Sequence, residues 1–492
     1  MPLAAELEAS LRELTTASAV ELRENGGRSI SFHGMSWEVR GAAEKPLLHL
    51  WSEEYNLTRR VLAITDHSES RLALAVERFG RNKPDRLEFV RLDFERPARE
   101  LSREEFFERL RRILAEQFPD ETLDSLVISS DLEHSLSGNY ARGVLKRGSL
   151  EWAVLAVPDG ETPDAIENSL TFALLWFERL RHSARRSSVV GLRLIVPRGA
   201  PRTIAHRMGA LDPNLSVELY ERDPANETIA KLDPRGAGNI DSWLVPFRET
   251  QLLLDRARPA LQPLIDMAPG AISVHPAVAE REVWLRFRGL ALARWEDGRV
   301  FFGLGNPTTE LTSVSRPRFT RLVNELATQR CSSVCDPRHA LYRAQPERWL
   351  ESVISSDVTR IDAALKPRFV YSQVLANTGG QHGIIDLLCV TRSGRVAILE
   401  LKANEHLHLP LQAADYWLRI RRHLQQGELS TYGYFVGIEL QPAPPIVFLI
   451  APALRFHPST DALLRMLSPE LEIVRVGLAE NWRKELRVVM RQ

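Results

Sequence analysis

The sequence predicts a mixed α/β protein built of two tandem units, each a mixed sheet flanked by helices. Apolar runs of strand length alternate with amphipathic stretches of helical period along most of the chain. The same series of segments occurs twice. A chain of 492 residues is also too long for one hydrophobic core, so two or three domains are expected.

The repeat is clearest when PPIVFLIAPALRFHPSTDALLRMLSPELEIVRV (444–476) is set under SVVGLRLIVPRGAPRTIAHRMGALDPNLSVELY (188–220). Each has a strand closing at a proline (Pro197, Pro452), a helix carrying Arg-Met (Arg207-Met208, Arg465-Met466), a Leu-x-Pro-x-Leu turn and a second strand. Upstream, LLWFERLRH (174–182) pairs with DYWLRIRRH (415–423), AVLAV (153–157) with AILEL (397–401), and EEFFERL (104–110) with ERWLESV (347–353). SFHGMSWEV (31–39) and RFRGLALAR (286–294) share an aromatic, a glycine and alternating apolar residues.

In order, residues 1–29 read as an amphipathic N-terminal helix and 30–225 as the first unit. Residues 226–280 form a linker: DPRGAGNIDSWLVPFRE is loop-like, RETQLLLDRARPALQPLIDM has helical period, and APGAISVHPAVAE is Pro/Gly/Ala-rich. Residues 281–340 form a small module, a hairpin turning at Glu296-Asp297-Gly298 followed by the helix RPRFTRLVNELATQ. A comparable hairpin-plus-helix module is expected before the first unit. The second unit, 341–492, opens with a helix at Pro346, a residue suited to a first helical position. Strands at 369–375, 384–391 and 396–403 follow, then a helix at 411–426, strands YGYFVGI and PPIVFLIA, a helix, and strand LEIVRVGL.

Composition excludes several classes. Apolar content of 44% and charged content of 26% fit a globular chain. No run approaches about 18 uninterrupted apolar residues, and the N-terminal segment lacks the pattern of a signal peptide, so a cytoplasmic protein without a membrane segment is expected. Three cysteines do not make a disulfide framework. Cys331 and Cys335 read as reduced thiols, since no second pair completes a zinc site. Basic and acidic residues balance, 64 against 64, so any nucleic-acid contact must rest on local potential. No GxxxxGK[ST] phosphate loop occurs, which argues against an ATP site.

Residues 383–402, GIIDLLCVTRSGRVAILELK, carry the chemistry. Strand side chains alternate between faces, so Glu400 and Lys402 point one way and Leu401 the other. Pairing across RSGR brings Asp386 toward Glu400. Two carboxylates that close repel unless a cation lies between them. All-oxygen donors suit Mg²⁺ or Mn²⁺, and an adjacent lysine can orient a water and offset charge on phosphate. The pattern suits metal-assisted phosphodiester hydrolysis. The bland alternative is an ion-paired surface hairpin, which the flanking apolar runs make costly.

Asp, a spacer and Glu-x-Lys on the next strand, with Gln412-Ala-Ala-Asp-Tyr416 in the following helix, resemble the PD-(D/E)XK, or restriction-endonuclease-like, nuclease superfamily and its RecB-like branch with QxxxY. The resemblance covers residues 345–450 and implies two restriction-endonuclease-like α/β/α units. It implies Asp386, Glu400 and the Leu401 carbonyl as metal ligands, with Lys402 acting on the attacking water. Gln412 and Tyr416, one turn apart, would contact the nucleic-acid backbone or support the site. The family proline before the aspartate is Ile385 here, and three cysteines cannot form the iron–sulfur clamp of some members, so no cluster is expected. DNA is the implied substrate, with RNA open. A homodimer or an accessory helicase or specificity subunit is a possible partner.

The first unit is an internal control. Aligned by eye, Ala156 and Pro158 stand at Glu400 and Lys402, Thr171 and Leu175 at Gln412 and Tyr416, and no aspartate matches Asp386. Residues 30–225 therefore read as a catalytically inert copy. Glu347 and Glu351 match Glu104 and Glu108, which marks them as structural and Glu351 as a weak third ligand. Arg419, Arg421 and Arg422 read as a solvated face or as phosphate contacts, and Trp417, matched by Trp176, as core. His406 and His408 read as site rim, and His382 as turn chemistry. Two other functions stay open: a non-catalytic nucleic-acid-binding or scaffold subunit, and a small-phosphoester hydrolase.

Overall fold

In the computed structural model the chain divides into two compact units, Met1–Pro201 with Val217–Leu232, and Arg202–Ser216 with Asp233–Gln492. The structure describes residues 3–492 except 16–19, 25–28, 33–34, 43–44, 52–55, 69–70, 78–84, 132, 184–187, 224–226, 235–241, 279–280, 306, 334–335 and 379–382. No helix among the described residues is long and apolar enough to cross a membrane. The expected α/β class with mixed sheets flanked by helices is observed.

The first unit begins with helix α1 (Leu3–Thr15) and strands β1 (Val20–Glu24), β2 (Ser29–Ser31), β3 (Ser36–Ala42), β4 (Lys45–Trp51), β5 (Asn56–Ser68), β6 (Arg71–Glu77) and β7 (Asp85–Arg91). These strands form an antiparallel sheet in the order β2-β1-β7-β6-β5-β4-β3. The hairpin expected here is thus a seven-stranded sheet, with Leu7, Leu11 and Leu14 of α1 in its core. Helix α2 (Leu92–Gln117) leads to β8 (Thr122–Val127), β9 (Ala141–Arg147), β10 (Leu150–Ala156), helix α3 (Pro163–Ser183), β11 (Ser188–Pro197), helix α4 (Pro201–Met208), β12 (Val217–Asp223) and β13 (Thr228–Leu232); of these, α4 belongs from Arg202 onward to the second compact unit.

The second unit holds β14 (Ser242–Leu244), helix α5 (Phe247–Ile265), and β15 (Ile272–Ala277), β16 (Glu282–Phe287), β17 (Leu290–Glu296), β18 (Arg299–Phe302) and β19 (Thr309–Glu310). Strands β15 to β19 form a five-stranded sheet in chain order. The stretch read as a linker is therefore strand β15, and the supposed hairpin is three strands. Alternating burial on β16 and β17, against helix α5 and helix α6 (Arg316–Gln329), closes the core of this module.

Helix α7 (Pro346–Ser356) then precedes β20 (Leu365–Thr378), β21 (Ile384–Thr391), β22 (Val396–Leu401), helix α8 (Leu409–Gln425), β23 (Ile446–Pro452), helix α9 (Thr460–Leu464), β24 (Ile473–Leu478) and β25 (Val488–Arg491). The sheet order is β14-β20-β21-β22-β23-β24-β25. YGYFVGI is a turn and not a strand. Phe435, Gly433 and Gly437 all have positive φ, which breaks an extended ladder.

The two sheets share one topology. From β8 to β13, and again from β20 to β25, the pairings run antiparallel, antiparallel, parallel, parallel, antiparallel. A helix fills each parallel crossover. The repeat seen in the sequence is thus matched strand for strand.

The five-stranded module is tightly joined to α7. At the β16–β17 turn Gly289 has φ +83, and a Cβ there would overlap the Arg348 carbonyl oxygen. Fully buried Arg330 donates to the carbonyls of Arg288, Leu341, Ala344 and Gln345 and lies 4.6 Å over the Trp349 ring. Gly289→Ala is expected to cost about 2–4 kcal/mol, from positive φ and overlap together. Urea unfolding measures it, and a loss below about 0.5 kcal/mol would mean that the turn does not bear on α7.

Candidate active site

The hairpin of β21 and β22 is buried almost throughout. Its turn is set by Gly394, with φ +90 against the Glu439 carbonyl. Ladder pairs run from Val390–Val396 to Leu387–Leu399. At Asp386 the side chain takes over from the ladder, and Oδ2 accepts the Leu401 N–H at 2.9 Å. Lys402 Nζ donates to Glu400 Oε1 at 3.1 Å. Glu400 is 1% exposed and Lys402 8%, while Leu401 turns into the opposite core with Trp349 and Phe448. The alternation expected from sequence holds for these three residues.

Helix α7 delivers more acid to the same place. Its apolar stripe, Trp349, Leu350 and Ile354, is buried against the sheet and fixes the rotation of the helix. Glu351 is 3% exposed. Its Oε2 accepts from Arg348 Nη1 at 2.9 Å and from Gln373 Nε2 at 2.8 Å. Arg348 Nη1 also lies 3.9 Å from Asp386 Oδ1. Glu347 accepts the Ala403 N–H and feels both Lys402 and Asp386. Burial raises the Glu347 and Glu351 carboxyls, and Asp386 adds to it, against the pull of nearby cations.

On helix α8, Gln412 Nε2 donates to the Tyr416 hydroxyl at 3.1 Å, so these two share a face as expected. Burial and the nearby Glu400 charge push the Tyr416 hydroxyl up to about 12. The expectation for Arg419 fails. Its guanidinium is 2% exposed and grips Asp415 through two bonds, at 3.0 and 2.7 Å, so it cannot reach a phosphate. Against its own burial, Asp415 is held down at about 2 by His206, Arg419 and Arg207. Arg419→Ala is expected to lower stability by about 3 kcal/mol, as for breaking a buried pair, and to leave DNA affinity unchanged. Denaturant unfolding beside a DNA titration checks this, and weakened DNA binding in a fully folded variant would contradict it.

Arg422 is partly buried in the last turn of α8. Arg421 stacks 4.8 Å from the Trp417 ring and pairs with Glu470 at 2.9 Å. Trp417 is core, donating to the Pro445 carbonyl. The His406 and His408 rings lie 5.8 Å apart, and burial pulls His408 down to about 3. Cys331 donates to the Thr328 carbonyl. His382 and Cys335 lie outside the described residues.

No protein-family model matches the chain. No curated protein matches it either. The site is therefore read on its own geometry.

Among the described residues no group of three or more His, Cys, Asp or Glu side chains stands in a metal-holding arrangement. What converges is a smaller set: Asp386 and Glu400, with Glu351 behind Arg348. Two carboxylate oxygens in it, Glu400 Oε2 and Glu351 Oε1, are buried without a hydrogen-bond partner. An orphaned buried carboxylate oxygen is costly, and a hard cation is one group that satisfies it. Mg²⁺ uses one or two carboxylates and completes its shell with water and phosphate, so the donor set fits it. Burial and Asp386 raise the Glu400 carboxyl to about 8, against the pull of Lys402. Burial works to lower Lys402, but Glu400, Glu347 and Asp386 outweigh it and hold the ammonium charged.

The first unit shows what replaces this chemistry. Lys402 N–H donates to the Ile450 carbonyl and Val157 N–H to the Ile195 carbonyl, both at 2.9 Å. Leu401 pairs with Ile450 and Ala156 with Ile195. Val157 therefore stands at Lys402 and Leu155 at Glu400, one residue from the register read by eye. Aligning letters across two apolar strands cannot fix a one-residue slip, whereas the ladder does. Arg142, opposite Leu155, stands at Asp386. It is buried, bonds the Ser129 carbonyl and lies 5.5 Å from the Trp176 ring. Arg, Leu and Val stand where the second unit has Asp, Glu and Lys.

Sequence reasoning missed Arg348 and Gln373, and it set Glu347 and Glu351 aside as structural although both lie beside Asp386. The demotion rested on Glu108, whose side chain is 74% exposed, so a shared letter hid opposite environments. The i, i+4 spacing of Glu347 and Glu351 was the available signal. Gln373, with φ +56 inside a strand, leaves no signal of its own in the sequence.

Proposed function

We propose that the chain is a metal-dependent nuclease that hydrolyses phosphodiester bonds, with DNA as substrate and one active centre in the second unit. One observation carries the reading: Asp386, Glu400 and Lys402 meet where β21 and β22 part, and Glu400 keeps a buried oxygen without a partner. Asp386, Glu400 and the Leu401 carbonyl would hold Mg²⁺ or Mn²⁺, which supplies a Lewis acid for phosphate and an acidified water.

The chain's own groups do the rest. Lys402, held charged by three carboxyls, orients the attacking water through its N–H donors and offsets charge gathering on the phosphate oxygens. It acts as an ammonium and takes no proton. Tyr416, kept protonated, supports the wall of the site together with Gln412. Arg422 and Arg421 are the remaining candidates for backbone phosphates on α8. The resemblance to the restriction-endonuclease-like family agrees with this arrangement, and the substrate class is drawn from it by analogy. The same reading expects a cytoplasmic protein, and it leaves a homodimer or an accessory subunit as ways to cut a second strand.

Purified protein incubated with labelled single-stranded DNA, double-stranded DNA and RNA, in Mg²⁺, Mn²⁺ or EDTA, tests the proposal. Cutting that requires the metal is the expected result. Binding without cutting under every condition would overturn it in favour of a scaffold role.

A further inference from the structure

Arg348 is the cation that Asp386 and Glu351 share, and it was not expected in the site from sequence. Its Nη1 is 2.9 Å from Glu351 Oε2 and 3.9 Å from Asp386 Oδ1. The main chain beneath it is fixed by close packing against Gly289. From β16, Arg286 pushes on it with like charge: Arg286 is drawn down to about 10, first by burial and then by Arg348. One Arg286 nitrogen, Nη1, is buried without a partner. The Arg348 side chain is still 32% exposed, so it keeps access to solvent.

A guanidinium and a divalent cation cannot both take the same carboxylate oxygens. Whatever neutralises Asp386 and Glu351 therefore sets the affinity for the other. We propose that Arg348 competes with the divalent cation for these carboxylates, and that cation binding turns its guanidinium onto a phosphate of the substrate. Arginine suits that exchange because its planar fork matches carboxylate and phosphate oxygens alike. Metal and substrate binding are thereby coupled: the metal frees the phosphate-binding group, and a bound phosphate removes the metal's competitor. This rests on the metal reading of the site, with Asp386 and Glu400 as ligands and Glu351 as a further one.

The test measures Mn²⁺ affinity by electron paramagnetic resonance, without DNA, for wild type, Arg348→Ala, Arg348→Lys and Asp386→Ala. Cleavage at saturating Mn²⁺ is measured beside it. Arg348→Ala is expected to bind Mn²⁺ about fivefold to tenfold more tightly, the scale of a partly exposed ion pair, and yet to cleave about a hundredfold more slowly. Arg348→Lys keeps the charge, so its Mn²⁺ affinity is expected within about twofold of wild type, which also guards against misfolding of the alanine variant. Unchanged or weaker Mn²⁺ binding by Arg348→Ala, or full activity, would overturn the coupling. If Asp386→Ala binds Mn²⁺ as wild type does, it is the metal site that fails, a separate result.

Discussion

Asp386→Ala and Lys402→Ala are each expected to lower Mg²⁺-dependent cleavage by at least about a thousandfold. Asp386 is a proposed metal ligand, and its Oδ2 already accepts the Leu401 N–H. Lys402 is the ammonium nearest Glu400, held by three carboxyls. On the proposed function both would act on one reacting phosphate, so the double variant should be little worse than either single one. Folding must be followed in parallel. Asp386→Ala leaves the Leu401 N–H without its acceptor, at a cost of about 1–3 kcal/mol, which a unit of this size should survive. A folded Asp386→Ala protein cutting within tenfold of wild type would move the active centre elsewhere.

The second large effect is one of stability and has the opposite sign to the loss of activity. Glu400→Gln should abolish cutting and make the metal-free protein more stable at pH 8. The Glu400 carboxyl is raised from 4.5 to about 8, first by burial and then by Asp386. A raised folded-state value means that the native protein binds a proton between those limits and the unfolded chain does not. Stability from this group is therefore full below about 4.5 and declines as pH rises toward about 8. Glutamine has no charge to bury, so in EDTA the variant should exceed wild type by about 2–3 kcal/mol at pH 8. The difference should close near pH 5. Mg²⁺ should stabilise wild type alone, because only wild type keeps both carboxylates. Urea titrations at the two pH values, with and without Mg²⁺, measure all of this. A variant less stable than wild type at pH 8 would mean that Glu400 gains more from Lys402 than burial costs it.

Much of the second unit was legible because its signals are local. The hairpin turn at Gly394, the Glu-x-Lys alternation and the one-turn spacing of Gln412 and Tyr416 follow from periods of 2 and 3.6. The duplication was also legible, since prolines and Arg-Met pairs mark corresponding points in both copies. What stayed hidden depends on burial and long-range register. Arg419 looks like its neighbours on a basic helix face, yet it is buried and held by the carboxylate of Asp415, four residues back. Residues 432–438 have the composition of a strand, yet two glycines and Phe435 with positive φ make them a turn. The one-residue offset that puts Arg142 at Asp386 is set by hydrogen bonds, and two apolar strands do not encode it in their letters.

The contacts of Gly289 and Arg330 bear on how this protein can be cut apart. A fragment beginning near residue 341 would carry every proposed catalytic side chain and still lose the arginine that holds the carbonyls of Leu341, Ala344 and Gln345. Those carbonyls lie at the entry to the helix that presents Glu347, Arg348 and Glu351. The five-stranded sheet and the helix that follows it thus act as a jig for the acidic helix, and on the proposed function a fragment that cuts is expected to start before β15. Recombination that moved the hairpin alone onto another scaffold would carry the chemistry without its alignment. The sheet and the proposed active centre would then be inherited as one part.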